Sequence, residues 1–261
     1  MTPEQVRDRV AALRQQISAE PAFRVEQEMQ FVNRMTEMTA RNSAELQLAI
    51  RAISDPRLRS IFPSRLEDPR EEELLEVIRR LDNYLASAIS RVDRCPKSAG
   101  YLSDIEPALK MEAKQRRVGL GTEHPIFLLA EYLRDHSIHV SYHGVQVRLT
   151  FQPLPEEAQP PREAIGARVT LTARVRVVRP QVQGGRSRRD REFAAKINQF
   201  PAEIEIQAFV HQFNAAADQF VTWYFSRLRS LHLKHGRSLE VLRSELQALN
   251  GPAALDNREA R

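Results

Sequence analysis

The segment from Pro180 to Arg191, Pro-Gln-Val-Gln-Gly-Gly-Arg-Ser-Arg-Arg-Asp-Arg, concentrates the side chains best suited to act through charge. Residues 162 to 191 hold nine arginines against Glu163 and Asp190, a local charge of +7 in a chain whose net charge is +5. Exposed charges are felt over about one Debye length, ~10 Å at 0.1 M salt, so where the charge sits matters more than its total. Ser187 and Asp190 have the spacing of a capping box and predict a short helix through Phe193, Ile197 and Phe200. Arg188, Arg189 and Arg191 then crowd the positive end of that helix, which costs ~0.3–1 kcal/mol each unless an anion is bound nearby. A ligand phosphate removes the conflict, and Gly184-Gly185 lets backbone N–H groups approach it. The competing reading is a flexible basic loop without a ligand. If a nucleic acid is the partner, Arg179, Arg186, Arg188, Arg189 and Arg191 contact its phosphates and read no bases. Arginine identity adds little, because 34 arginines against five lysines also follow from a GC-rich genome.

Other chemistries find weaker footing. Glu203 and Glu205 lie two apart on an expected strand, with His139 on another, and form the one cluster that an enzyme of unknown reaction would use. His136, His139 and His143 are close in sequence but point apart on the expected hairpin. His232 and His235 straddle an expected helix end with Glu240 as the nearest carboxylate, so no three or four ligands converge as zinc requires. Cys95, the single cysteine, precedes Pro96 with no motif around it. Gly119-Leu120-Gly121 lacks the third glycine and the preceding strand of a dinucleotide turn. The sequence therefore predicts no catalytic residues, no cofactor and no metal.

The elements that position these residues divide at about residue 100. Apolar residues recur at steps of three and four in 4 to 18 (Val6, Val10, Leu13, Ile17), in 22 to 53 (Val25, Met29, Val32 to Leu46, Ile50, Ile53) and in 70 to 94 (Leu74, Ile78, Leu81, Leu85, Ala88, Val92). These are three long amphipathic helices. Their stripes pack against each other as an antiparallel bundle or, alternatively, form a seam for a partner helix. Ser103-Asp104-Ile105-Glu106 predicts a fourth helix ending near Gly119, and Pro125 to His136 a fifth.

Beyond that the period falls to two. A turn at His143-Gly144 sets Tyr142 opposite Val145, Val140 opposite Val147 and Ile138 opposite Leu149, with polar residues opposite polar ones, which predicts a tight hairpin. Segments 168 to 178 and 202 to 210 also alternate, and Arg174 and Arg176 are expected to face Glu203 and Glu205. The open face offers Phe209 as its one aromatic, too few for base stacking. A helix over 212 to 232 ends at Gly236, and Ser238 opens a last one to Leu249.

The fold class expected is α+β: a helical bundle (1–99), a linker with a helix (100–123), a four-stranded antiparallel sheet with flanking helices (124–250), and a frayed tail (251–261). The longest apolar run, Ile126 to Ala130, is too short for a bilayer, and the N-terminus has no export pattern, so a cytoplasmic location and no membrane contact are expected. The functional expectation is a non-enzymatic interaction subunit of a multi-component complex. Its N-terminal helices dock a protein partner or a second copy, and its Arg-rich loop holds an anionic partner such as a nucleic-acid backbone. The alternatives are a structural or oligomeric scaffold without nucleic acid, and an enzyme.

Overall fold

A computed structural model describes the backbone of residues 1–54, 69–139, 145–153, 169–178 and 188–250. Helices dominate. In chain order the elements are α1 (Pro3–Ala19), α2 (Pro21–Ser54), α3 (Pro69–Ser98), a 3-10 turn (Ala99–Leu102), α4 (Pro107–Glu123), α5 (Pro125–His139), β1 (Val145–Pro153), β2 (Val169–Val178), α6 (Arg188–Asn198), β3 (Glu203–Glu205) and α7 (Ile206–Asn250). The chain forms two compact units, and several helices run through both. One comprises residues 1–35, 92–117 and 219–261, the other 36–91 and 118–218. No helix among the described residues is long and apolar enough to cross a membrane.

In the first unit, Thr2 opens α1 with a capping box. Its Oγ1 accepts from the Gln5 N–H at 3.2 Å, its own N–H donates to Gln5 Oε1 at 2.8 Å, and Pro3 takes the first helical position, where a missing N–H costs nothing. Extended backbone at Glu20 ends α1, and Pro21 starts α2. Ile17, Ala22 and Leu239 then form a buried cluster with Phe23, Leu242 and Leu246 packed on it, joining the α1–α2 corner to α7. The α2 and α3 stripes are consumed within the chain: Val25, Val32 and Val92 of this unit are buried, as are Leu46, Ile50, Ile78, Leu81, Leu85 and Ala88 of the other.

The second unit is built around Phe213. Tyr84 meets its ring edge-on at 6.0 Å, Phe127 lies at 5.3 Å, and Phe209 stacks at 6.3 Å. Such ring pairs add ~0.5–1.5 kcal/mol each beyond area burial. The buried Tyr84 hydroxyl donates to Asn214 Oδ1 at 2.7 Å, and Arg91, 4 % exposed, donates to Asp218 Oδ1 at 2.6 Å. Burial, above all, pushes the Tyr84 phenol well above its ordinary pKa. A second feature of this unit is a close approach at Gly121 in α4, where a Cβ would stand 2.6 Å from Leu128 Cδ2.

The α+β expectation is overturned, because no four-stranded antiparallel sheet forms among the described residues. α5 continues through Ser137, Ile138 and His139, so these residues cannot supply a strand opposite 145–149; residues 140–144, with the expected His143-Gly144 turn, lie outside the described set. β1 pairs instead with β2, antiparallel, from Val145 opposite Val177 to Pro153 opposite Val169. This register sets Val147 opposite Val175, Leu149 opposite Ala173 and Thr150 opposite Thr172. It therefore satisfies the same apolar-to-apolar rule that favoured the hairpin, over a longer ladder.

The last expected strand shrinks to Glu203–Glu205, and Ile206 already begins α7. Ile206, Phe209, Val210, Phe213, Ala216 and Ala217 are all buried, whereas Ala208, assigned inward by the two-residue period, is exposed. Helical spacing i, i+3, i+4, i+7 prevails because it extends over twelve residues, 206–217, and alternation over only seven, 204–210. Phe209 thus lies in a helical core, not on a sheet face. β3 sets Glu205 opposite Arg176 as expected, but Glu203 opposite Val178; Arg174 stands opposite Arg148 of β1.

Two helix boundaries also move. Ser103 closes the preceding 3-10 turn, its Oγ donating to the Gly100 carbonyl at 2.8 Å, and α4 begins at Pro107 and runs through Gly119 and Gly121. α7 likewise passes Gly236, which is buried, so the two expected C-terminal helices are one helix of 45 residues.

Candidate functional site

Of the five predicted contact residues, Arg179 and Arg186 lie outside the described residues. The backbone places Arg188, Arg189 and Arg191 in the opening turn of α6, which begins at Arg188; Ser187, the expected cap, is outside the described set. At 100° per residue, Arg188 and Arg191 share a helix face and Arg189 stands beside it. Further along α6, Ile197 and Ala194 are buried, and Lys196 donates to Thr122 Oγ1 at 3.4 Å. This inner face fixes the helix while its first turn carries the arginines. Of the residues considered for an enzyme, His139 ends α5, and Glu203 and Glu205 bound β3.

A second site, in the first unit, escaped the sequence reading. The Glu28 carboxylate on α2 is half-buried and accepts from Ser98 Oγ at 2.6 Å and from Tyr224 Oη at 3.3 Å. No cation among the described residues touches it. Burial raises its pKa above the ordinary value, and the two hydroxyl hydrogen bonds offset that only in part. Tyr224, buried and facing this carboxylate, is itself pushed far up. Glu28 borders a cleft of about 490 Å³ lined also by Arg24, Gln27, Gln30, Arg34 and Tyr101. Arg24 is held by both Asp104 oxygens, at 2.6 and 3.0 Å, and by the Tyr101 carbonyl. Arg34 is exposed and has no partner among the described residues.

The sequence signal was present. Glu28 falls at i+3 from Val25 and i−4 from Val32, inside an otherwise apolar stripe, where an unpaired carboxylate is costly.

Two residues earlier on α2 the arrangement is the opposite. Glu26 receives both Arg243 terminal nitrogens, Nη1 at 3.0 Å, and His232 Nε2 lies 3.7 Å from its Oε1. The Arg243 hydrogen bonds hold the Glu26 carboxyl below its ordinary pKa, with the charges of Arg243 and His232 adding to the effect. His232 and His235 therefore both sit within α7 and not at a helix end, and His232 faces a carboxylate from α2. Cys95 is buried in α3. Among the described residues no three His, Cys, Asp or Glu side chains are grouped to hold a metal.

Comparison with known proteins adds no assignment: the chain matches no family model, no curated protein and no solved structure.

Proposed function

We propose that the protein is a non-enzymatic interaction subunit of a cytoplasmic assembly that holds an anionic partner, first of all a nucleic-acid backbone, through Arg179, Arg186, Arg188, Arg189 and Arg191. The observation that carries this reading is the backbone position of Arg188, Arg189 and Arg191 in the first turn of α6. Backbone N–H groups without intrahelical partners and a positive dipole end meet three guanidinium-bearing residues there, and bound phosphate turns that repulsion into attraction. Phosphate contacts fix affinity but read no bases, so binding is indifferent to sequence. The test is fluorescence anisotropy with two labelled duplexes of unrelated sequence, using the intact chain and a variant with Arg186, Arg188, Arg189 and Arg191 changed to glutamine. Equal binding to both duplexes that is lost in the variant supports the reading. Binding unchanged by the substitutions rejects it.

A protein–protein scaffold is the second reading. Leu233 and Val241 favour it: they are exposed on α7 at an i, i+8 spacing, within ~80° of each other around the helix. In that case light scattering shows a mass that grows with concentration and falls when Leu233 is changed to glutamate.

A further inference from the structure

The cleft beside Glu28 carries an inference separate from the arginine-rich segment. Its charges do not cancel by internal pairing. Arg24 is consumed by Asp104 and the Tyr101 carbonyl, which leaves the Glu28 carboxylate without a cation and the Arg34 guanidinium without an anion on the same wall. Ser98 and Tyr224 donate one hydrogen bond to each Glu28 oxygen and orient the group, while each oxygen keeps a second acceptor site. Gln27, Gln30 and Arg34 follow one helical stripe (i, i+3, i+7), and Arg24 and Glu28 the adjacent one (i, i+4). Along α2 the cleft therefore runs from the Asp104-bound Arg24 through Gln27 to the Glu28 carboxylate, and on past the Gln30 carboxamide to the Arg34 guanidinium.

We propose that this cleft binds a small zwitterion with a primary ammonium and a carboxylate separated by a short chain, the ammonium against Glu28 and the carboxylate against Arg34. A purely cationic ligand meets Arg34 with nothing to answer it, and a purely anionic one meets Glu28. The separation sets the length. Six residues along α2 advance ~9 Å, and an extended dipeptide spans ~7 Å, a difference the flexible arginine arm takes up. An α-amino acid, with one carbon between its charges, is too short to satisfy both ends. The amide in the middle of a dipeptide has both a donor and an acceptor for the Gln30 carboxamide, which lies between the two charges along α2. A guanidinium and a carboxylate bind in a planar, two-pronged geometry, which makes Arg34 the end that discriminates acid from amide.

The test is isothermal titration calorimetry of the whole chain at pH 7 with glycylglycine, N-acetyl-glycylglycine and glycylglycine amide, together with the variants Glu28→Gln and Arg34→Gln. Saturable binding of glycylglycine is expected, weaker by about tenfold or more once either charge is removed from the ligand. Glu28→Gln abolishes the discrimination against the acetylated peptide, and Arg34→Gln that against the amide. Arg34 is exposed, so its variant keeps the fold and preserves the test even if Glu28→Gln disturbs it; circular dichroism verifies both. Absence of saturable heat with glycylglycine up to millimolar concentration overturns the proposal. So does binding that ignores both substitutions.

Discussion

Two glycines in one helix separate the cost of a close approach from the cost of glycine itself. Gly119 and Gly121 both lie within α4, and replacing either by alanine removes backbone freedom from the unfolded chain and improves helix propensity by up to ~1 kcal/mol, less near the helix end. Their surroundings differ. At Gly119 the new Cβ would meet only Glu123 Oε1, at 3.3 Å, the far end of a flexible side chain that can move aside. At Gly121 it would stand 2.6 Å from Leu128 Cδ2 and 3.1 Å from Leu128 Cγ, close to the branch point of the side chain, so Leu128 must repack or α5 must shift. Overpacking of this kind costs ~1–3 kcal/mol. The propensity gains nearly cancel between the two variants, so the difference in stability between Gly119→Ala and Gly121→Ala is the clash alone, ~1–3 kcal/mol. Urea unfolding followed by far-ultraviolet circular dichroism measures it as a change in midpoint at constant slope. Adding Leu128→Ala to Gly121→Ala should recover most of the loss, because the two changes share one contact. Equal midpoints for the two alanine variants would refute the close packing of α4 on α5.

Other perturbations have equally definite outcomes. Glu26 and Glu28 differ in sign. Glu26 has a folded pKa below the ordinary 4.5, so its contribution is present above that value and is lost as pH falls through the folded pKa. Glu28 has a folded pKa above 4.5, so its contribution is present below 4.5 and is lost as pH rises through the folded value. Thermal melts from pH 3 to 8 should show Glu28→Gln gaining on the parent chain as pH rises. Glu26→Gln, which removes an exposed pair with Arg243, should cost ~0.2–1 kcal/mol at neutral pH and progressively less as the pH falls below 4.5; parallel curves for the two variants would contradict the assignment. Leu81→Asp, at a residue 3 % exposed, buries an unpaired charge and should cost ~3–5 kcal/mol. The expected result in circular dichroism is unfolding, and a folded variant of lower mass in light scattering would instead place Leu81 at an interface between chains.

The helical part of the molecule was legible because its signals are long and redundant. Leu13 and Ile17, Val25 and Val32, Ile78 through Val92, and Phe213 through Leu231 repeat the 3.6-residue period over several turns, and every one of these named residues is buried. The sheet was misread where two patterns of equal local quality compete. Residues 145–149 fit both a hairpin with 138–142 and a ladder with 173–177, and alternation alone cannot rank them. Ile204, Ile206, Ala208 and Val210 alternate by accident of a helix that starts at Ile206. Gly236 and Gly119 read as stops in the sequence, but a glycine within a helix costs only ~1 kcal/mol, which packing over many turns outweighs. The Glu28 cleft was missed for a different reason. Its hydroxyl partners, Ser98 and Tyr224, are 70 and 196 residues away in sequence, and only the tertiary fold brings them to one carboxylate.

The role assigned to the arginines of residues 179 to 191 is tested most directly by the salt dependence of duplex binding. Five phosphate contacts predict that log affinity falls with log salt at a slope of about −4.5, flattening to about −1 when Arg186, Arg188, Arg189 and Arg191 are all changed to glutamine. A slope that stays the same in that variant, or an affinity indifferent to salt in the parent chain, would contradict the account.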